Sequence, residues 1–267
     1  MQSLDTFWQR PPWHDGKNKH RLGLRPIDLD ELWIADDALL ANKQAQLEAR
    51  YDAVVATSPE YSQVDFELPE LSNLPSRFPD WIANVGWQVA EDLCLLDIEQ
   101  DNRLVAGCLT APSYWSLREK LGLPLLQVHE PVHGMNKKIG ARIDRFLQQM
   151  PLLRPFRREN WLVHAEADYF RPAPSLIGEL PTSPDNWHFR SERQTLLRLD
   201  ARFVLFVIGI VFAPASKLAA YPGALDALRR SLRAMDDHEI EHFGGLEKYR
   251  RVADYVELLH STPTDLD

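Results

Sequence analysis

The sequence predicts an α+β protein built on an antiparallel sheet. Three observations carry that expectation: a hairpin signal around residue 100, three further strand-length segments between about residues 160 and 213, and helical apolar spacing on either side of them. A length of 267 residues suits one large domain with elaborations. The expected division is an N-terminal arm and helix over 1–80, a core over 81–213 and a C-terminal helical extension over 214–267.

The elements follow in chain order. Residues 1–30 are polar and aromatic, with Trp8, Trp13 and a basic patch from Lys17 to Arg25, and read as an arm packed on the domain. Asp36 or Asp37 can cap a helix reaching about Ala56, with Leu40, Leu47, Tyr51, Val54 and Val55 at helical spacing. Residues 57–80 hold four prolines and five acids and read as an irregular surface connection. Leu93–Ile98 and Leu104–Thr110 are strand-like, joined by the polar turn Gln100-Asp101-Asn102. Trp115–Leu121 is a short helix that Gly122 ends, and Leu125–Gly134 reads as an extended loop. Asn136 can cap a helix to about Met150, with Ile139, Ile143, Phe146 and Leu147 on one face.

Strands are then expected over 160–167, 187–199 and 202–213, with a proline-rich loop over 171–184. The last strand is apolar on both faces, which places it centrally. Helices over about 214–221 and 224–234, and a final one to about His260 interrupted at Gly244-Gly245, complete the chain. Two strands, a helical crossover and three strands is the order of a PAS domain, a five-stranded antiparallel sheet whose crossover walls off a pocket. A ligand is therefore expected between the sheet and residues 111–150.

Composition narrows the function classes. The net charge of −9 argues against a nucleic-acid partner. No run reaches the roughly 18 apolar residues of a membrane span, and residues 1–10 lack the order of a signal peptide; the expected compartment is the cytoplasm. Cys94 and Cys108 lie in apolar runs and read as buried hydrophobes. Two thiols fall short of the four ligands of a usual iron–sulfur cluster, so any electrons must come from elsewhere.

The string H-E-x-x-H occurs twice. It serves zinc only when a helix places both histidines on one face. In His129-Glu130-Pro131-Val132-His133 the proline disfavours that helix. His238-Glu239-Ile240-Glu241-His242 can be helical, capped by Asp236 with Glu239, but reads as a short solvated turn.

Four strings, in order and at similar spacing, carry a family resemblance. They are Pro112-Ser113-Tyr114-Trp115-Ser116-Leu117 with Glu119-Lys120-Leu121-Gly122; Val128-His129-Glu130-Pro131-Val132; Asn160-Trp161; and Ser191-Glu192-Arg193-Gln194-Thr195-Leu196. Over roughly residues 85–255 the chain resembles the heme-dependent oxidative N-demethylase alpha-subunit family. The resemblance implies a PAS-like enzyme that binds heme b and oxidises a small secondary amine with dioxygen. Electrons would come from separate flavin and iron–sulfur reductase components. His129 is the implied axial ligand, with His133, where the family usually has proline, as its rival.

The remaining candidates follow from chemistry within that frame. Arg193 and Lys120 could meet heme propionates, and Trp115 could wall the cofactor pocket. Glu192 is the implied catalytic carboxylate, since a protonated dialkylamine seeks an anion and aromatic faces. Trp161 is a second possible aromatic wall. Period-two alternation puts Arg193 and Thr195 on one face of their strand and Glu192 and Gln194 on the other, so only one pair can line the pocket. A PAS-like heme or small-molecule sensor without turnover, and a heme-free subunit, are the competing readings.

Overall fold

The computed structural model describes residues 4–19, 21–71, 73–128, 140–173 and 177–261. Helix α1 (Leu4–Gln9) and the short strand β1 (Arg25–Pro26) precede helix α2 (Asp37–Val54). Asp36 caps α2 by accepting from the backbone N–H groups of Ala38 and Leu39. Strand β2 (Val55–Thr57) follows at once, which ends the helix two residues before the expected Ala56. Residues 58–80 carry the aromatic and apolar side chains Tyr61, Phe66, Leu68 and Phe78 onto the core. The connection is irregular, as expected, but it covers the sheet instead of skirting the surface. Helix α3 is Trp81–Gly86.

Strands β3 (Asp92–Asp97) and β4 (Arg103–Cys108) form the expected hairpin. Asp101 and Asn102 sit at φ 58° and 52°, a left-handed pair that their short polar side chains tolerate. Helices α4 (Leu117–Lys120), α5 (Leu125–Val128) and α6 (Ala141–Gln149) make up the described crossover. Residues 125–128 are thus a helical turn, not the start of an extended loop. Strand β5 (Phe156–His164) begins four residues earlier than expected. Its charged start, Arg157-Arg158-Glu159, shows no period-two apolar signal; pairing with β6 (His188–Arg198) fixes it as strand. Strand β7 is Phe203–Pro214, and helices α7 (Pro222–Arg233), α8 (Asp237–Phe243) and α9 (Leu246–Ser261) close the chain. Gly244, at φ +116°, ends α8.

The sheet has seven antiparallel strands in the order β1-β5-β6-β7-β3-β4-β2. Five strands were expected. The two additions are edge strands of two and three residues, too short to leave an alternation in the sequence. The central position of β7 is as expected.

The sheet buries both faces. The odd-numbered residues of β6 and β7 are covered at one end by α2, α3 and residues 58–80. At the other end Trp8 and Trp13 pack with Trp161, Phe189 and the helices α7 and α9. The even-numbered residues, among them Leu196, Val204, Phe206, Ile208 and Ile210, face the crossover. Asp92 pins the start of that crossover: its carboxylate accepts from the N–H and hydroxyl of Thr110 and from the N–H of Ala111, at 2.8–2.9 Å. Buried Lys43 stands 3.7 Å from it. The helix α8 is less solvated than its acidic sequence suggests, because Glu239 and Phe243 are fully buried. Among the described residues, no helix is long and apolar enough to cross a membrane.

Candidate functional site

The crossover face of β6 carries a row of polar side chains at period two: Arg190, Glu192 and Gln194. Arg190 approaches the Glu192 carboxylate side-on. Its Nε donates to Oε1 at 3.1 Å and its Nη2 lies 3.0 Å from the same oxygen. Nη2 also donates to the Ala111 carbonyl at 2.8 Å, which ties strand to crossover. The other carboxylate oxygen, Oε2, accepts from Gln194 Nε2 at 2.8 Å and Asn160 Nδ2 at 3.4 Å. Burial by itself would raise the Glu192 pKa. The Arg190 charge and the hydrogen bonds from Gln194, Arg190 and Asn160 outweigh it and hold Glu192 below the ordinary carboxylate range. Glu192 is therefore a buried anion near neutral pH, with one oxygen bound to a guanidinium and the other only to neutral amides.

On the neighbouring strand, β5, the same face ends in His164, which is 1% exposed. Burial, reinforced by the charges of Arg190, Lys248 and Arg171, pushes this imidazole down to about 2, so it is neutral. Its Nε2 lies 3.5 Å from Ser113 Oγ, and its Nδ1 has no hydrogen-bond partner among the described residues. Tyr114 tilts against it with ring centroids 4.8 Å apart, and Phe212 of β7 meets it edge-on at 5.7 Å. Tyr114 sits at φ +64°, a left-handed conformation that costs a non-glycine residue on the order of 1 kcal/mol. The backbone bond from its N–H to the Arg171 carbonyl at 2.7 Å holds it there. Arg190 Nη1 is likewise buried without a partner among the described residues. The face thus combines an apolar floor, a neutral imidazole with a spare nitrogen, a guanidinium with a spare donor and a fixed carboxylate.

The sequence candidates divide across the sheet. Glu192 and Asn160 lie on the crossover face. Arg193 lies on the opposite one: it pairs with Gly209, where an added Cβ would meet Ile34 Cδ1 at 2.5 Å and Arg193 Cβ at 3.5 Å. There Arg193 Nη2 donates to the Glu31 carbonyl at 3.0 Å, away from the crossover pocket. The alternation read from the sequence is correct, and the crossover covers the Glu192 side. Lys120 is half-buried at the end of α4, beside the β3–β4 hairpin. Trp115 is half-buried against the crossover cluster and lines a cavity of about 180 Å³ with Pro112, Leu117, Phe170 and Pro172. Trp161 is 3% exposed and packs with Trp13 and Phe243 in the odd-face core. His129 and His133 lie outside the described residues.

Sequence reasoning missed Arg190 and His164. The signal for Arg190 was present, since it stands two residues before Glu192 and shares its face. His164 carried none, because its meeting with Arg190 depends on the β5–β6 register, in which His164 pairs with His188 and Leu162 with Arg190.

Among the described residues, no group of three or more His, Cys, Asp or Glu is placed to hold a metal ion by itself. The described donors on the crossover face are a neutral imidazole, a guanidinium and a carboxylate beside an apolar bed. A family model described as "Haem-dependent oxidative N-demethylase, alpha subunit-like" matches residues 80–258.

Proposed function

The chain belongs to the haem-dependent oxidative N-demethylase alpha-subunit-like family, and from that premise we propose that it is the catalytic subunit of a heme-dependent oxygenase acting on a small secondary amine. The single observation that carries this reading is the buried, ionised Glu192 on the crossover face. A buried carboxylate held anionic by its neighbours is a counter-charge for a cationic substrate.

In this reading the crossover and the even face of the sheet would hold heme b between them. The order of the five long strands, β5-β6-β7-β3-β4, supports a PAS-like core for it. His129 would hold the iron. Arg190, whose Nη1 has no partner among the described residues, would hold a heme carboxylate. Lys120 and Trp115 flank the same crossover, whereas Arg193 serves the other face. Bound heme would supply the oxygen-activating chemistry, using electrons from flavin and iron–sulfur partner subunits. The chain's two cysteines are buried and unpaired, which fits electron supply from outside.

The chain's own residues bind and orient. Glu192 Oε2, engaged only by the amides of Gln194 and Asn160, keeps the capacity to accept an N–H from a protonated amine. Because Glu192 stays ionised, it holds that N–H without taking the proton. Arg190 fixes the carboxylate in place and is itself fixed by the Ala111 carbonyl. Tyr169 and Phe212, edge to face at 5.0 Å, offer aromatic surface beside it.

The test is spectroscopic first. Heme-reconstituted protein should show a Soret band, which His129→Ala removes or shifts strongly. With a chemical reductant and dimethylamine it should release formaldehyde. Absence of a Soret band after reconstitution overturns the reading; a band without turnover leaves a heme sensor in its place.

A further inference from the structure

The basic patch of the N-terminal arm plays no part in the chemistry above, yet it builds a cavity of its own. Residues 10–19 and 21–25 run along the β1–β5 edge and line a cavity of about 130 Å³. Four arginines and one lysine line it: Arg10, Arg21, Arg25, Arg158 and Lys19, whose ammonium burial pushes down to about 7. Two carboxylates share the lining, Asp15 and Glu159, while Glu192 and Glu239 act on Lys19, and Glu192 on Arg158, from behind it. Asp15 pairs with Arg21 at 2.5 Å, and Glu159 lies 3.7 Å from both Arg25 and His14. In a chain of net charge −9, this concentration of cations runs against the background.

The cavity is structured, not a loose surface patch. Lys19 is 7% exposed, donates to the Trp161 carbonyl, and lies over the rings of Trp161 and Phe243 at 4.8 and 5.5 Å. Arg158 Nη1 donates to the Arg21 carbonyl at 3.0 Å, which fastens the arm to β5. Burial pushes the Arg158 guanidinium down to about 10, with Glu192 opposing and the Arg21 charge adding to the fall. At the rim Arg10 is exposed and Arg25 half-exposed, each held by one long contact: Arg10 Nη2 lies 3.4 Å from His14 Nε2 and Arg25 Nη2 3.7 Å from Glu159. Four of the five cations precede residue 80 and so fall outside the stretch that the family model matches.

We propose that this pocket binds a phosphate group, with Arg10 and Arg25 closing on it from the rim and Arg21, Arg158 and Lys19 forming its base. Arginine forks match phosphate oxygens two at a time. The excess of cations over carboxylates favours a dianion over a single carboxylate. The site stands independently of the heme reading, because heme-free protein is sufficient to test it.

The experiment titrates inorganic phosphate into the full chain by calorimetry, at ionic strength held constant with chloride, and repeats the titration with acetate. Phosphate should bind about tenfold tighter than acetate. The double variant Arg10→Gln/Arg25→Gln, which alters one exposed and one half-exposed side chain at the rim, should weaken phosphate binding by about tenfold or more. Arg118→Gln, a 59% exposed arginine far from the pocket in sequence, should stay within about twofold of the parent. Equal affinity for phosphate and acetate overturns the proposal, as does a rim variant that binds phosphate like the parent.

Discussion

Two buried glutamates on opposite faces of one sheet have opposite protonation behaviour. Glu192, under the crossover, is held below the ordinary carboxylate range. Glu91, under the N-terminal elements, is pushed up to about 7, chiefly by burial; the Ile34 N–H and the charges of Arg193 and Lys43 only partly offset this. Both are at least nine-tenths buried and both have arginine nearby. The difference lies in contact. Arg190 bonds Glu192 directly and two amides bond the other oxygen, whereas Arg193 Nη2 donates to the Glu31 carbonyl and Glu91 Oε2 has no partner among the described residues. Burial sets the penalty for a charge; a hydrogen-bonded counter-charge decides whether the charge survives it.

The largest effect should come from breaking the satisfied pair. Glu192→Ala leaves Arg190 buried without its counter-ion, and stability should fall by about 3–5 kcal/mol in urea titration. A loss within about 0.5 kcal/mol would mean that solvent reaches Arg190 and that the crossover face is open.

Glu91 should respond with the other sign. Its folded pKa is raised above the unfolded value, so its contribution is fully present below about pH 4.5 and is lost as the pH rises through about 7. Glu91→Gln keeps an acceptor for the Ile34 N–H and carries no charge. The variant should gain about 1–3 kcal/mol over the parent at pH 8 and much less at pH 4.5, read from paired denaturation curves. A gain independent of pH would break the comparison.

The smallest effect should come from Arg193→Gln. Loss of its bond to the Glu31 carbonyl should cost about 1 kcal/mol of stability. The Soret spectrum of heme-reconstituted protein should be unchanged, while Arg190→Gln should weaken heme retention. If Arg193→Gln altered the spectrum and Arg190→Gln did not, the assignment of faces would be reversed.

Much of this molecule is set by local stereochemistry and could be read directly. The Asp36 cap, the Asp101-Asn102 turn, the Asp236–Glu239 capping box and the buried central strand β7 each follow from a few neighbouring residues. The split of Glu192 from Arg193 followed as well, because successive side chains on a strand point to opposite faces. Less visible were the edge strands, whose two or three residues carry no period, and the charged start of β5, which becomes a strand only because β6 pairs with it.

What the sequence alone determined is the set of long strands, the alternation along them and the family to which residues 80–258 belong. Only the tertiary structure decided which side of β6 the crossover covers, that Arg190 and His164 meet beside Glu192, and that the N-terminal basic patch closes into a cavity against Arg158. The reason is range. Alternation and capping arise from bonds between residues close in the chain, whereas a pocket is made where segments distant in the chain are brought together by the burial of apolar surface, which has no direction of its own.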